Sequence, residues 1–513
     1  MLGWLKGDKV DHPLANARHA KKVIDSLPVN DPWQSLEDAN YWLNSINATP
    51  GFKLEKRFEL IDALDLATRK AQDTLLNTYN VLRESDRIQE KRISKTVNEF
   101  WQALGAGYLA CVVQAQDEKN IGNAFKPHLP LIPARCTRAL RHQVKWVLMR
   151  YGLVRPEIWS EIGRCSAFAE AGGFADKLVE FYPLSGHSSV RQEFLSVMML
   201  WASSPSGMSP LEQDVAERII GHLVAKFRFD TKQWDGCDYC FDLDGTLPPL
   251  RLMRSSPISA GTRFFDANEA RQAAQAMLAL VTSTGTLPAD INLGVDAEPV
   301  IAGKVLKHLL FNWAKEMPAR ASERRRTAMT LHVVHGYHSV EGAVAPEISD
   351  GLDFSDTLAH DTWIAEDVSA GGFGVIVPAG KGEWLKVGAL LGVRGETESS
   401  WSVGIVRRMK SDEHRQFHVG IQLIAKTALL VHLRTLGAVE QGGKRQHAIL
   451  LSAQPSPNGS LHIIARQDLF SGRDPMEAMY GEPASTVMME PAGILESGED
   501  FDWLRYKLSE PIA

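Results

Sequence analysis

Two polar elements in the second half of the chain have the residue types and spacing to bind an anion. The first is a basic run, Arg320-Ala-Ser-Glu-Arg324-Arg325-Arg326, just before a segment of strand-like alternation. The second, Asp367-Val-Ser369-Ala-Gly-Gly372, has the form Asp-x-Ser-x-x-Gly and leads into another apolar run. Arginine forks bind phosphates and purine edges through paired hydrogen bonds, and glycine lets a ligand approach the backbone closely. The two elements together predict one local binding site.

The sequence around these elements resembles the PilZ family. The Asp-x-Ser-x-x-Gly element matches that family's pattern in full, and Arg320 and Arg324 meet its Arg-x-x-x-Arg element. Further similar segments are Gly372-Phe-Gly-Val-Ile-Val377, Val403-Gly-Ile-Val-Arg407 and Val419-Gly-Ile-Gln-Leu423. The resemblance covers residues 318–426 and implies a small β-barrel that binds cyclic di-GMP.

The resemblance also implies which side chains contact the ligand. They are Arg320, Arg324, Arg325, Asp367, Ser369 and Gly372. An arginine fork can hold the N7 and O6 edge of a guanine or stack on its face. A carboxylate can accept hydrogen bonds from the guanine N1–H and N2–H₂ donors. Because the ligand carries two phosphates, its affinity is expected to fall as salt rises.

The basic run departs from the PilZ pattern in its position. In the family the second arginine abuts the first strand, whereas Arg325 and Arg326 stand between Arg324 and the strand predicted here. If Arg325 is instead the first arginine of the pair, Met329 occupies the second position. The connection from 336 to 362 is also longer than usual. Two hypotheses stay open, a receptor and a degenerate PilZ scaffold that acts as a protein-interaction module without ligand.

A second resemblance lies in the first half of the chain. Phe241-Asp242-Leu-Asp244-Gly-Thr-Leu247 resembles the nucleophile loop of haloacid-dehalogenase-type phosphatases, in which the first Asp attacks phosphorus and the second is the acid/base. The preceding segment 234–240 is half polar, unlike the buried strand that such a loop should follow. We therefore expect an edge strand that ends in an Asp-Gly turn. A phosphatase is the less favoured alternative, and the protein is predicted not to be an enzyme.

Cysteine and histidine spacing suggests metal binding at two further places. Cys237 and Cys240 have the spacing of half a zinc site, but no second pair follows nearby. His332, His335 and His338 stand close together, but on a strand the middle one faces away from the other two. We expect no metal at either place, and no cofactor apart from the cyclic di-GMP ligand.

The elements that must position these residues change character near residue 318. Before it, apolar residues recur at helical spacing, and Ser209-Pro210-Leu211-Glu212 is a capping box that begins a helix. Further helices are predicted over 268–282 and 298–316, the latter ending before Met317-Pro318. After it, apolar residues from Thr327 to Val333 alternate with small or polar ones, which indicates a strand.

We predict an α+β protein with three regions. Residues 1–317 form a mostly helical region of one or two subdomains, residues 318–430 a PilZ-like β-barrel, and residues 440–513 a C-terminal β-rich module. In that module Asn458-Gly459 is a hairpin turn signal between two apolar runs. The barrel is the expected sensor and the helical region the expected output of a cyclic di-GMP-binding regulatory protein.

Bulk composition limits the partners. The 513 residues carry a formal net charge of −6, which argues against binding to a nucleic-acid polymer. Five scattered cysteines do not describe a disulfide framework, and no apolar run is long enough to span a bilayer. The protein is therefore predicted to be cytoplasmic, with an unknown protein partner bound through the helical region.

Overall fold

The computed structural model forms two compact units, Met1–Met317 and Pro318–Ala513. It describes residues 10–82, 86–118, 120–183, 186–294, 298–316, 323–345, 360–382, 384–435, 446–452, 459–467, 475–480 and 485–508. The first unit is mainly helical and the second mainly β, so the predicted α+β class is confirmed.

The first unit has ten α-helices among its described residues. They are α1 (Ala17–Asp25), α2 (Pro32–Ala48), α3 (Leu54–Asn80), α4 (Arg87–Asp117), α5 (Leu131–Met149), α6 (Glu157–Ala171), α7 (Val190–Ala202), α8 (Pro210–Leu223), α9 (Asn268–Thr284) and α10 (Pro299–Asn312). Six short strands accompany them, namely β1 (Val179–Glu180), β2 (His187–Ser188), β3 (Arg228–Asp230), β4 (Tyr239–Asp242), β5 (Leu250–Arg251) and β6 (Thr262–Asp266). Strands β3 to β6 form one antiparallel sheet in the order β3-β6-β4-β5.

Local sequence signals explain several helix ends. The predicted capping box is present at α8, where the Ser209 backbone N–H donates to Glu212 at 2.7 Å and the Glu212 N–H to the Ser209 hydroxyl at 3.3 Å. Helix α9 ends at Thr284 and is followed by Gly285, whose φ of +66° only glycine adopts readily. Helix α10 ends at Asn312, four residues before the predicted end. Met317-Pro318, the predicted stop signal, lies outside the described residues.

Helix α5 carries four basic side chains on one buried face. These pair with acidic side chains of other helices: Arg135 with Asp65 at 2.7 Å, Arg138 with Glu193 at 2.9 Å, Arg141 with Glu217 at 3.3 Å and Lys145 with Glu217 at 2.6 Å. Burial acts to raise the pKa of Glu193, but Arg138 and Arg141 hold it below its ordinary value. Removing one partner of a buried ion pair costs about 3–5 kcal/mol. The pairs therefore fix α5 at the centre of the helical unit.

The second unit contains two closed six-stranded barrels. The middle barrel consists of β7 (Arg325–His335), β8 (Asp361–Ser369), β9 (Gly372–Val377), β10 (Leu390–Gly395), β11 (Ser402–Ser411) and β12 (Phe417–Ala425). The C-terminal barrel consists of β13 (Leu429–Thr435), β14 (Gln446–Leu450), β15 (Ser460–Arg466), β16 (Met476–Tyr480), β17 (Ser485–Ser497) and β18 (Phe501–Leu508). Around each barrel the first three strands are followed by the sixth, fifth and fourth, so the two have the same antiparallel topology.

An apolar cluster joins the two barrels. It contains Val334, Tyr337, Val340, Leu390, Val403, Ile405 and Ala425 of the middle barrel and Ile449, Leu451, Ile464 and Phe501 of the C-terminal barrel. Tyr337 begins α11 (Tyr337–Val344), the helix that follows β7. Its backbone N–H donates to the Asp500 carboxylate at 2.5 Å, and its hydroxyl donates to the His447 carbonyl at 3.0 Å. Both barrels therefore share one part of their core.

Nothing in the described part of the chain is both long and apolar enough, as a helix, to cross a membrane.

Candidate functional site

The basic run meets β8 where β7 begins. Strand β7 starts at Arg325, two residues before the alternation that predicted it, because Arg325 and Arg326 pair with Val368 and Asp367 of β8. Arg324 therefore abuts the strand directly. The expectation that two arginines separate it from the strand is wrong.

Arg324 and Asp367 form an ion pair that ligand can reach. Nη1 of Arg324 lies 3.0 Å from both carboxylate oxygens of Asp367. The two side chains are 31% and 28% exposed. Neither charge is sealed in the protein interior, so both remain able to contact a ligand without a large desolvation cost.

Strand alternation divides the other residues of the run between two faces. Residues directly opposite each other in an antiparallel pair have their side chains on the same face. Arg326 is opposite Asp367 and shares its face, whereas Arg325 is opposite Val368 and faces the other way. Met329 is opposite the fully buried Ala365 and so faces the barrel interior. Arg320 lies outside the described residues, and its role stays a prediction.

Ser369 and Gly372 form the turn between β8 and β9. They are the first cross-strand pair of this hairpin, and the Ser369 hydroxyl donates to the Gly372 carbonyl at 3.3 Å. A Cβ added at Gly372 would stand 1.9 Å from the carbonyl oxygen of Ile421 on β12. The glycine of the Asp-x-Ser-x-x-Gly element is therefore required by strand packing, whatever its contact with ligand.

A histidine flanked by two carboxylates lies close to this site. His418 on β12 has Nδ1 2.9 Å from the carboxylate of Glu366, the neighbour of Asp367. Its Nε2 lies 3.3 Å from the carboxylate of Asp412. The hydrogen bond to Glu366, reinforced by that to Asp412, raises the pKa of His418 above its ordinary value.

The sequence prediction omits Arg326 and His418. The signal for Arg326 is the strand alternation: if it is continued toward the N-terminus into the arginine run, Arg326 falls on the strand and can lie beside Asp367. No local pattern joins His418 to Glu366, which is 52 positions away in the chain.

The Asp-x-Asp segment of the helical unit has structural contacts. Asp242 ends β4, which lies between β6 and β5, so the predicted edge strand is wrong. The predicted turn is present, with the Gly245 N–H 3.1 Å from the Asp242 carbonyl. The Asp242 carboxylate accepts from the Asp244 N–H at 3.2 Å and from the Ser259 hydroxyl at 3.2 Å. Tyr239, Cys240 and Phe241 are buried because the polar residues all precede the strand.

The structure describes the surroundings of all the cysteine and histidine candidates. Burial raises the pKa of Cys237 to about 11 and also raises that of Cys240, which disfavours the thiolate form. His338 lies on α11 rather than on a strand, because Gly336 (φ +78°) ends β7 just before it. His335 stacks on Trp384 with ring centres 3.7 Å apart. In the described ranges no group of three or more His, Cys, Asp or Glu could hold a metal ion.

Two family models match the chain. Residues 18–233 match the N-terminal domain of the cyclic-di-GMP receptor FimW, and residues 354–429 match the middle PilZ domain of that receptor. No individual curated protein matches the chain. The second range begins downstream of Arg324, and β7 connects that arginine to the matched strands by closing the same barrel.

The barrel, its Asp-x-Ser-x-x-Gly turn and the matched PilZ model define the class: the chain is a PilZ-domain protein. The two FimW models together match more than half of its length, so the chain is similar to that cyclic-di-GMP receptor in its helical unit as well as in its middle barrel.

Proposed function

We propose that this protein is a cyclic di-GMP-binding regulator whose ligand site is formed around the Arg324–Asp367 ion pair. The observation that carries the proposal is the position of that pair. An arginine at the start of the first PilZ strand reaches the Asp of the Asp-x-Ser-x-x-Gly element on the next strand. Two oppositely charged groups are thereby held side by side on an accessible surface before ligand arrives.

The pair is complementary to a guanine. The arginine fork can donate to guanine N7 and O6, while the carboxylate can accept from N1–H and N2–H₂. Because Arg324 and Asp367 already hold each other, little side-chain freedom is lost when the base binds. Ser369 and Gly372 present the hairpin backbone to the ligand, and Arg320 supplies the second arginine of the clamp.

The directions in which the arginine side chains point favour Arg324 as a ligand-contacting residue. Arg324 bonds Asp367, and Arg326 shares its face, whereas Arg325 faces away. We therefore assign Arg324 to the ligand and make Arg325, the predicted substitute, the control residue.

The proposed protein senses cyclic di-GMP and does not convert it chemically. The helical unit would be the output and would bind the unknown protein partner. Asp242 is occupied by its own turn and by Ser259, which is a structural role. The cysteines are unpaired thiols, as expected of the proposed cytoplasmic location.

Calorimetric titration of the full chain with cyclic di-GMP tests the proposal. We expect micromolar or tighter binding that weakens as salt rises. Arg324→Ala should cost about 2 kcal/mol, roughly a thirtyfold loss of affinity, because a charge-assisted contact is lost. Arg325→Ala removes the same charge from the opposite face and should change affinity much less.

Two outcomes would contradict parts of this assignment. If Arg325→Ala costs more than Arg324→Ala, Arg325 rather than Arg324 is the arginine that contacts the ligand. If the unchanged protein gives neither heat nor a thermal shift at about 100 µM ligand, well above a micromolar dissociation constant, the barrel is a scaffold without ligand.

A further inference from the structure

A row of four residues crosses the outer face of the middle barrel from Asp367 to Arg408. Asp367 on β8 is opposite Gly374 on β9, Gly374 is opposite Gly420 on β12, and Gly420 is opposite Arg408 on β11. Because direct cross-strand partners share a face, all four lie on the same side of the sheet. The row therefore continues the surface that carries Arg324 and Asp367.

The two glycines make the middle of this row a low floor. A Cβ added at Gly374 would stand 2.8 Å from the carboxylate atoms of Asp367. A Cβ added at Gly420 would stand 2.7 Å from Cγ and 2.9 Å from Nε of Arg408. The Asp367 and Arg408 side chains thus lie over neighbouring glycines, occupying space that a side chain would otherwise fill. We call Gly374 and Gly420 the glycine floor.

A β-bulge in β11 places the Arg408 side chain over the glycine floor. Val406 is opposite Ile421 and Arg408 is opposite Gly420, so Arg407 is the additional residue of β11. Arg407 points elsewhere: its Nε donates to Gln422 at 2.7 Å, and its guanidinium donates twice to Glu496 at 2.6 and 2.8 Å. Without the bulge Arg407 would be opposite Gly420, and Arg408 would be opposite Val419 and face the barrel interior.

We propose that Arg408 is a further ligand-contacting residue, and that cyclic di-GMP lies over this row of residues and extends from Arg408 to the Arg324–Asp367 pair. This rests on the receptor function proposed above. Neighbouring strands are about 4.8 Å apart, so the β8 and β11 backbones lie about 14 Å apart along the row. The Asp367 and Arg408 side chains extend over the row from its two ends, and the remaining distance between them can be bridged by a ligand of two nucleotides. The glycine floor lets the Asp367 and Arg408 side chains lie flat against the sheet, and Arg408 holds the part of the ligand farthest from Arg324.

The experiment is titration of the full chain with cyclic di-GMP, comparing Arg408→Ala with Lys410→Ala. Lys410 is exposed, carries the same charge and lies two residues along β11, where it is opposite His418. We expect Arg408→Ala to weaken binding at least tenfold and Lys410→Ala to change it less than about threefold, since Lys410 lies beside the row rather than on it and its charge acts only through screened attraction. Arg408→Lys should recover much of the affinity if the contact is to phosphate and little if it is to a guanine edge.

Gly420→Ala keeps every charge and provides a second test. Its Cβ would displace Arg408, so affinity should fall several-fold while the barrel's thermal unfolding midpoint stays near that of the unchanged protein, because the clash is with a flexible side chain. The inference is overturned if Arg408→Ala and Gly420→Ala both bind like the unchanged protein while Arg324→Ala loses affinity. That result would leave the receptor function standing. Absence of binding by the unchanged protein would instead overturn the receptor function, and this inference with it.

Discussion

The two barrels of the second unit have the same strand order, but their outer faces differ. In the middle barrel the third and sixth strands place Gly374 opposite Gly420, with Arg324 and Asp367 at one side. In the C-terminal barrel the corresponding strands, β15 and β18, contain no glycine and place His462 opposite Arg505. The residues before its first strand, 426–428, are Lys-Thr-Ala, in place of an arginine run.

This difference separates the proposed ligand site from the fold that carries it. A closed six-stranded barrel of this topology is compatible with both surfaces, so topology alone does not create the site. In the site proposed above, the glycine floor and the ion pair supply what topology does not, and both depend on which residues stand at particular positions. The C-terminal barrel instead contributes to the core that the two barrels share.

Truncating the shared core should have the largest effect on stability. Phe501 is completely buried in the cluster between the barrels, and Phe501→Ala should lower the free energy of unfolding by about 4 kcal/mol. Because Val403 and Ile405 lose packing as well, the middle barrel should be destabilised along with the C-terminal one. Denaturant unfolding, read both by far-UV circular dichroism and by cyclic di-GMP binding, measures this.

Leu433→Ala is the matched control for that effect. Leu433 is also fully buried, but it belongs to the cluster inside the C-terminal barrel alone. It should cost about 2–5 kcal/mol while weakening ligand binding less than Phe501→Ala does at the same denaturant concentration. Equal effects of the two variants on binding would show that the shared cluster has no special role in coupling the barrels.

Equivalent hairpin glycines should differ in their tolerance of a methyl group. Gly372→Ala places Cβ against the Ile421 carbonyl, which cannot move without disturbing β12, and should cost about 3 kcal/mol. Gly459 precedes β15 in the C-terminal barrel, has φ +73° and has no atom within 4 Å of its Cβ position. Gly459→Ala should cost only the backbone strain, about 1 kcal/mol. Thermal unfolding midpoints compare them, and similar shifts would contradict the packing argument.

The smallest expected effects are on the pH dependence of stability, to which His418 and His462 should contribute with opposite signs. Carboxylates raise the pKa of His418, so its stabilising contribution is complete below the unfolded-state pKa and is lost as pH rises through the folded-state pKa. Burial, with Arg505, lowers the pKa of His462, so its contribution is complete above the unfolded-state pKa and is lost as pH falls. Each should contribute less than about 1 kcal/mol, since both are partly exposed.

Unfolding of His418→Gln and His462→Gln between pH 5 and pH 8 checks both signs. Relative to the unchanged protein, His418→Gln should lose least stability at the alkaline end, and His462→Gln should lose least at the acidic end. A His418→Gln variant that loses least stability at the acidic end would refute the carboxylate contacts of His418, and a His462→Gln variant that loses least at the alkaline end would refute the effect of burial on His462.

Sequence reasoning was most successful where a pattern is local. The alternation at Thr327–Val333 predicts β7, and the capping box predicts the start of α8. The extension of β7 to Arg325 depends on pairing with β8, which no local pattern records. Likewise, closure of the C-terminal barrel depends on β13 and β16, two short strands whose partners lie far away in the chain. Arg408 is recognisable only once the bulge and Gly420 are known.

The hydrogen bond from the Tyr337 N–H to Asp500 has a consequence for synthesis of the protein. Helix α11 belongs to the middle barrel, but its first turn is completed by a carboxylate 163 residues later. Domains generally fold in order as the chain emerges from the ribosome. Here α11 acquires its capping carboxylate only when the last strands have been made. A chain that ends before Asp500 would therefore contain all six strands of the middle barrel but would lack the carboxylate that caps α11 and the Phe501 side chain of the shared cluster.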